Sequence, residues 1–182
     1  MQRATYHRAP MSAALPDRVD VARQVQARRI YEGTLPFIAM PRLCGLLATS
    51  AGEARYHAQF DRDELGVDYL GVRVDCGLPL VCQRTLEVFT LPVQIDERLG
   101  LIVDERDEAA LPAGYEPLLV EHGTIDLAAV IEDELILAVP VVPTQPGAAL
   151  DWVDGSTDEA AEAPRANPFA VLAGLKKDGA AR

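Results

Sequence analysis

Between residues 54 and 103 apolar side chains recur at every second position, and this one pattern commits the middle of the chain to β-structure. Tyr56, Ala58 and Phe60 alternate with Arg55, His57, Gln59 and Asp61, and the run ends in the polar stretch 61–66. A second strand comes next over 67–74, with Leu70, Val72 and Val74 on one face. The spacing then predicts a turn at 76–79, a third run over 80–90 and a fourth over 93–103 that is interrupted near Asp96 and Gly100. Alternation of this kind belongs to an antiparallel sheet with one wet face. The expected fold class is therefore α+β: an antiparallel β-meander, as a sheet or a partly closed barrel, with flanking helices.

Helical spacing appears on either side of that block. Residues 124–138 place Leu127, Val130, Ile131, Leu135 and Ala138 in one stripe behind a cap at Thr124 or Asp126. Steps of about 100° per residue put Glu132 and Asp133 on the wet side and Glu134 inside the stripe. A carboxylate there is expected to pair with a cation, with Arg42 and Arg84 as the candidate partners, or to sit at the rim of the stripe. Asp17 is placed to cap a basic, amphipathic N-terminal helix over about 17–31, through Val19, Val21, Ala22, Val25 and Ile30. Gly33, Pro36 and Pro41 make the next segment extended or irregular, and 42–47 fit a short helical turn packed through Leu43, Leu46 and Leu47. The acidic stretch 104–110 reads as loop, and Pro112, Gly114 and Pro117 keep the chain out of helix from there to Leu118.

After Pro143 the composition shifts to Asp, Glu, Ala, Gly and Pro. Residues 1–143 are accordingly expected to form a single α+β domain, 144–166 an acidic linker or loop, and 167–182 a short C-terminal helix with a basic tail. Asn167 and Pro168 open that helix, Phe169, Leu172 and Leu175 form its apolar stripe, and Lys176 and Lys177 close it.

Charge narrows the functional classes. With 17 Lys and Arg against 28 Asp and Glu, the formal net charge is −11, which argues against an extended nucleic-acid surface. The ends are different: residues 1–30 hold six Arg against Asp17 and Asp20, and residues 165–182 hold four basic groups against Asp178. The 134 residues between hold 7 basic and 25 acidic groups. Phosphate contact is expected only at the termini and to be salt-sensitive, while the acidic body suits a basic protein. The longest apolar run, from Leu135 to Val142, is broken by Pro140 and is too short to span a bilayer, so no membrane partner is expected. Arg3, His7 and Arg8 do not precede the apolar stretch of a secretory signal, which makes the cytoplasm the expected compartment.

Catalytic patterns are sparse. The chain has no glycine-rich phosphate loop, no His-Glu-x-x-His and no Gly-x-Ser-x-Gly, and Ser occurs only at Ser12, Ser50 and Ser156. Cys44, Cys76 and Cys82 are odd in number and unevenly spaced, as expected of reduced, packed thiols rather than a disulfide framework. A Cys82 nucleophile with His57 or His122 as base can be written down, but nothing in the spacing selects it. Glu132, Asp133 and Glu134 point three ways from a helix and cannot all serve one hard cation. No catalytic residue and no small-molecule substrate are expected, and the chain reads as no enzyme.

Four segments in order carry a resemblance: Cys82, Gln83 and Arg84 in a strand; Tyr115, Glu116 and Pro117; Ile125, Asp126 and Leu127 running into Glu132, Asp133 and Glu134 and on to Pro140; and Asn167, Pro168 and Phe169 near the end. Together with Arg42 and Leu43 they resemble the bacterial YceD family, also called DUF177, the large ribosomal RNA subunit accumulation proteins. The resemblance implies a cytoplasmic, non-enzymatic ribosome-biogenesis factor needed for synthesis, processing or stability of 23S rRNA. Its partners would be pre-23S rRNA, large-subunit assembly components or an rRNA-acting enzyme, met through a sheet face and the terminal segments. Arg42, Arg84, Lys176 and Lys177 are the candidate contacts. The alternative is an acidic adaptor or holdase for a basic ribosomal protein, without RNA contact. Many relatives carry Cys-x-x-Cys in the strand and a later His and Cys, an arrangement resembling a zinc site. Here Thr85 stands where the second cysteine would be and 144–149 contain neither His nor Cys. Tetrahedral zinc needs about four N or S ligands, so neither metal nor any other cofactor is expected.

Overall fold

A computed structural model describes residues 15–147. The chain opens with β1 (Val19–Asp20), α1 (Val21–Gln26), β2 (Ile30–Pro36) and, after a 3₁₀ turn at Phe37–Ala39, α2 (Pro41–Cys44). The long strands come next: β3 (Glu53–Arg62), β4 (Asp68–Val81) and β5 (Val88–Ile102). A 3₁₀ turn at Glu105–Ala110 leads to β6 (Glu116–Leu119), β7 (Thr124–Ile125) and α3 (Leu127–Ala138). The main sheet has the order β2-β3-β4-β5-β6, and β1 pairs with β7 in a separate two-stranded ribbon. This is an α+β fold. The sheet is open: β2 and β6 are its two edges and do not meet, so the barrel form of the expectation is excluded.

The alternation does what it promises over β3 and β4. Tyr56, Ala58, Phe60, Leu70, Val72 and Val74 are buried on one face, where Val21 and Val25 of α1, Leu43 of α2 and Leu127, Ile131 and Leu135 of α3 join the same core. On the other face Arg55, Arg73, Asp75, Gln94, Asp96 and Arg98 are exposed.

Four expectations need correction. The expected helix over 17–31 is confined to Val21–Gln26. Only Val21 and Val25 form its i, i+4 stripe; Val19 pairs with Ile125 and Ile30 with Gln59, and Arg28 turns the chain between helix and strand with a φ of 48°. The short helical turn expected over 42–47 occupies Pro41–Cys44, with Leu43 buried and Leu46 half-exposed.

The turn expected at 76–79 is instead the middle of a long arm, in which β4 and β5 pair from Tyr69↔Gly100 to Val81↔Val88. The pairing of β3 with β4 ends at Asp75. Pro79 therefore lies on a free margin, where its missing N–H leaves no gap in the ladder and its carbonyl accepts from Ala48 N at 2.8 Å. Gly77 is required by the same arm, since a Cβ there would stand 2.7 Å from Thr90 Cγ2.

The run expected over 80–90 is broken between Val81 and Val88 by the turn that closes the arm, while β3, β4 and β5 form the expected antiparallel meander; β6, outside that block, joins β5 in parallel, Leu99↔Glu116 to Ile102↔Leu119. The crossover 103–115 is long enough for that return. Leu111 within it packs so closely on Gly100 that a Cβ there would meet its Cδ2 at 2.6 Å. Tyr115 Oη donates to Asp63 Oδ2 at 2.9 Å and ties the end of the crossover to the β3–β4 turn.

Residues 148–166 of the expected linker and all of the expected helix 167–182 lie outside the described residues. No helix among the described residues is long and apolar enough to cross a membrane.

Candidate functional site

The α2 helix has only four residues and no side-chain cap of its own, because Met40 occupies its N-cap position. Its first free amides need acceptors. They find them in Glu132, which lies one turn into α3 and is the one charged side chain buried among the described residues. Glu132 Oε1 accepts from Arg42 N at 2.7 Å and from Leu43 N at 3.0 Å. Its Oε2 accepts from Arg42 Nε at 3.0 Å and Nη2 at 2.9 Å, two charge-assisted bonds to one oxygen. The rest of the guanidinium is used as well: Nη1 donates to Asp133 Oδ1, and Nη2 to the Ala129 carbonyl at 3.3 Å. Burial alone would push the Glu132 carboxyl up. The Leu43 amide, the Arg42 side chain and the Arg42 amide outweigh it and hold the group below the ordinary carboxylate range.

This clamp corrects the reading of α3. The buried face turns along the helix, from Leu127 and Val130 in the first turn to Ile131, Glu132 and Leu135 in the second. Glu132 is thus inside and takes Arg42, the partner expected for Glu134, while Glu134 follows the other expectation and sits at the rim. Glu134 is half-buried there, with its carboxyl raised by burial and by the neighbouring charges of Glu116, Glu97 and Asp133. A wheel drawn on a straight axis misses such a rotation. The usable signal was that Glu132 lies beside Ile131 in a short helix that has to serve two neighbours, the sheet and α2.

The second cluster is the turn that closes the arm. Cys82 N donates to Glu87 O and Leu86 N to Cys82 O, each at 2.8 Å, and Leu86 takes a φ of 61°. The segment leaving α3 is clasped to this turn: Gln83 N donates to Pro143 O at 2.8 Å, Gln145 N to Cys82 Sγ at 3.4 Å, and Arg84 Nη2 to Gln145 O at 3.2 Å. Cys82 is buried. The Gln145 amide first, then Thr85 through hydroxyl and amide, and the Arg84 amide hold its thiol down at about 6. The turn and the 143–145 segment therefore stand where the resemblance puts a zinc site. The donors do not fit one: among the described residues of this locus Cys82 is the one thiol, there is no histidine, and the sulfur accepts from the Gln145 amide.

The third feature is a groove of about 610 Å³ on the open sheet face. Strand register sets Glu32, His57, Arg73 and Asp96 in one row and Thr34, Arg55, Asp75 and Gln94 in the next. Arg73 Nε pairs with Asp96 at 3.0 Å, and Gln94 donates to Asp75 at 3.1 Å. With three carboxylates against two guanidiniums and a histidine, this face is no basic track for phosphate.

The fold sorts the candidate residues into two groups. Arg42, Leu43, Glu132 and Asp133 come together, with Leu43 fully buried beneath the clamp. Cys82, Gln83 and Arg84 come together with Pro143 and Gln145, in the segment that the resemblance sets beside that strand. Arg42 is committed to the clamp, whereas Arg84 is exposed on the turn. Asn167, Pro168, Phe169, Lys176 and Lys177 lie outside the described residues.

The model of one protein family, described as the large ribosomal RNA subunit accumulation protein YceD, matches residues 70–176. A curated protein of Haemophilus influenzae with that same description is 31% identical over 169 residues, which cover 90% of this chain and 97% of the relative. No solved structure is matched.

Proposed function

The chain belongs to the family of large ribosomal RNA subunit accumulation proteins, YceD, and on that premise we propose that it is a non-enzymatic ribosome-biogenesis factor required for synthesis, processing or stability of 23S rRNA. The observation that carries the reading is the clamp. Two motifs on which the resemblance rests, Arg42 with Leu43 and Glu132 with Asp133, meet in a closed hydrogen-bond set over the core rather than around a cavity. Such residues hold α2 against α3 and serve shape rather than chemistry. The partners are pre-23S rRNA or large-subunit assembly components in the cytoplasm, an rRNA-acting enzyme among them, and no metal takes part. RNA contact falls to the basic terminal segments, including Lys176 and Lys177, and to Arg84, since the sheet face is charge-balanced.

A second reading, the acidic adaptor for a basic ribosomal protein, is favoured by one observation. Residues 15–147 carry 22 acidic groups against 11 Arg, and five of those Arg, at 28, 42, 62, 73 and 106, are already ion-paired. Binding to naked 23S rRNA fragments separates the two. The RNA reading expects affinity at physiological salt that falls steeply as salt rises and with Lys176→Ala combined with Lys177→Ala. No RNA binding, together with a stoichiometric complex with a basic large-subunit protein, would replace it by the adaptor.

A further inference from the structure

The open sheet face turns phosphate away, yet beside its groove stands a set of groups of another kind. Strand alternation puts Tyr69, Gly71 and Arg73 of β4 on that face, with Asp96 and Arg98 of β5 next to them. Gly71 lies between Gln59 and Arg98 in the row that borders the groove. Having no side chain, it leaves room for the Tyr69 ring, whose Cε2 lies 3.7 Å from where a Cβ would be. Arg98 Cζ stands 5.7 Å from the centroid of that ring, and Tyr115 meets the ring edge-on at 5.8 Å. Among the described residues Arg98 pairs with no carboxylate, and neither does Arg55 in the groove; both are exposed. Arg98 is thus placed by an aromatic ring and not by an anion.

We propose that this face takes unpaired bases of single-stranded RNA, one of them stacking on Arg98 above Tyr69 and its neighbours lying in the groove. The chemistry selects the occupant. Every base offers a flat face, which stacks on aromatic rings and guanidinium planes alike, and an edge that carries both donors and acceptors. The groove supplies both kinds in return, guanidiniums at Arg55 and Arg73 and carboxylates at Asp75 and Asp96. Its volume of about 610 Å³ is that of a small-molecule site. Phosphate would meet those carboxylates, and the two rows of the groove contain no apolar side chain for the buried centre of a protein interface. The inference rests on the rRNA role and deepens it: the basic termini hold phosphate, and the sheet face holds bases.

Fluorescence anisotropy on the full chain at physiological salt tests it with two labelled strands of about ten nucleotides: a single-stranded RNA of mixed sequence, and one of equal charge whose bases are replaced by abasic sites. The parent is expected to bind the base-bearing strand more tightly. Arg98→Lys keeps the charge and loses the flat group, so it is expected to weaken binding of that strand about tenfold and to leave binding of the abasic strand unchanged. Arg55→Ala, at an exposed position, is expected to weaken binding of the base-bearing strand as well. Equal binding of the two strands by the parent would overturn the inference and leave the rRNA role standing on phosphate contact. So would a preference for bases that Arg98→Lys and Arg55→Ala both leave unchanged. Binding of neither strand would overturn direct RNA contact itself, and the inference with it.

Discussion

Glu132 and Arg42, 90 residues apart, form a two-sided contact: one carboxylate oxygen receives the Arg42 backbone and the other its guanidinium. Local sequence leaves α2 uncapped, and tertiary structure supplies the missing acceptor from α3. The first amides of α2, above the buried Leu43, thus share one acceptor side chain.

Glu132→Ala removes the acceptor for two backbone amides at once and is expected to destabilise the fold by about 2–4 kcal/mol. Arg42→Ala leaves those amides satisfied and is expected to be milder. Urea denaturation of the two single variants and the double variant checks this: the double variant should be markedly less destabilised than the sum of the two. Simple additivity would contradict the clamp.

The two helix carboxylates have opposite pH signatures. Glu132 has a lowered pKa in the folded chain, so its stabilisation is complete above the unfolded carboxylate value and is lost as pH falls through the folded one. Glu134 has a raised pKa, so its effect runs the other way: it binds its proton more tightly in the fold and weakens the fold as pH rises through the raised value. Glu134→Gln is expected to raise the thermal midpoint at neutral pH and to lose that advantage in acid. A midpoint lowered at neutral pH would refute the assignment.

Cys82 titrates in a window of its own. With a folded thiol pKa of about 6 against an ordinary 9, its contribution is full above the ordinary value and disappears as pH falls toward 6. Gln145→Pro deletes the amide that donates to the sulfur and should return the thiol pKa upward, flattening that pH dependence. Thiolate absorbance at 240 nm against pH, in a variant with Cys44→Ala and Cys76→Ala, reads the shift.

Gly77→Ala tests the arm. Its Cβ would lie 2.7 Å from Thr90 Cγ2, and a β-branched side chain in a strand has little room to move. The expected cost is about 1–3 kcal/mol, substantially recovered by adding Thr90→Ser, which removes that methyl. Equal destabilisation with and without the second change would show that the arm is not packed as described.

How far the sequence could be read depends on which forces are local. Alternation in β3 and β4 is local, and Tyr56, Phe60, Leu70 and Val72 fall on the core face as the spacing says. The cap of α3 is local too: Asp126 accepts from Ala129 N at 3.1 Å. The turn expected at 76–79 fails because Gly77 and Pro79 answer to neighbours distant in sequence, Thr90 across the arm and Ala48 beside it. The parallel return of β6 leaves no period in the sequence. Of the candidate site, the pairing of Arg42 with the acidic run of α3 was legible as chemistry, but the choice of Glu132 over Glu134 was set by where α2 docks.

The ratio of 23S to 16S rRNA, with precursors resolved, in cells depleted of this protein bears most directly on the proposed role. The account expects a selective fall in 23S, restored by the parent chain and by Cys82→Ser, and restored poorly by Glu132→Ala, which loosens the clamp. An unchanged ratio on depletion would contradict it.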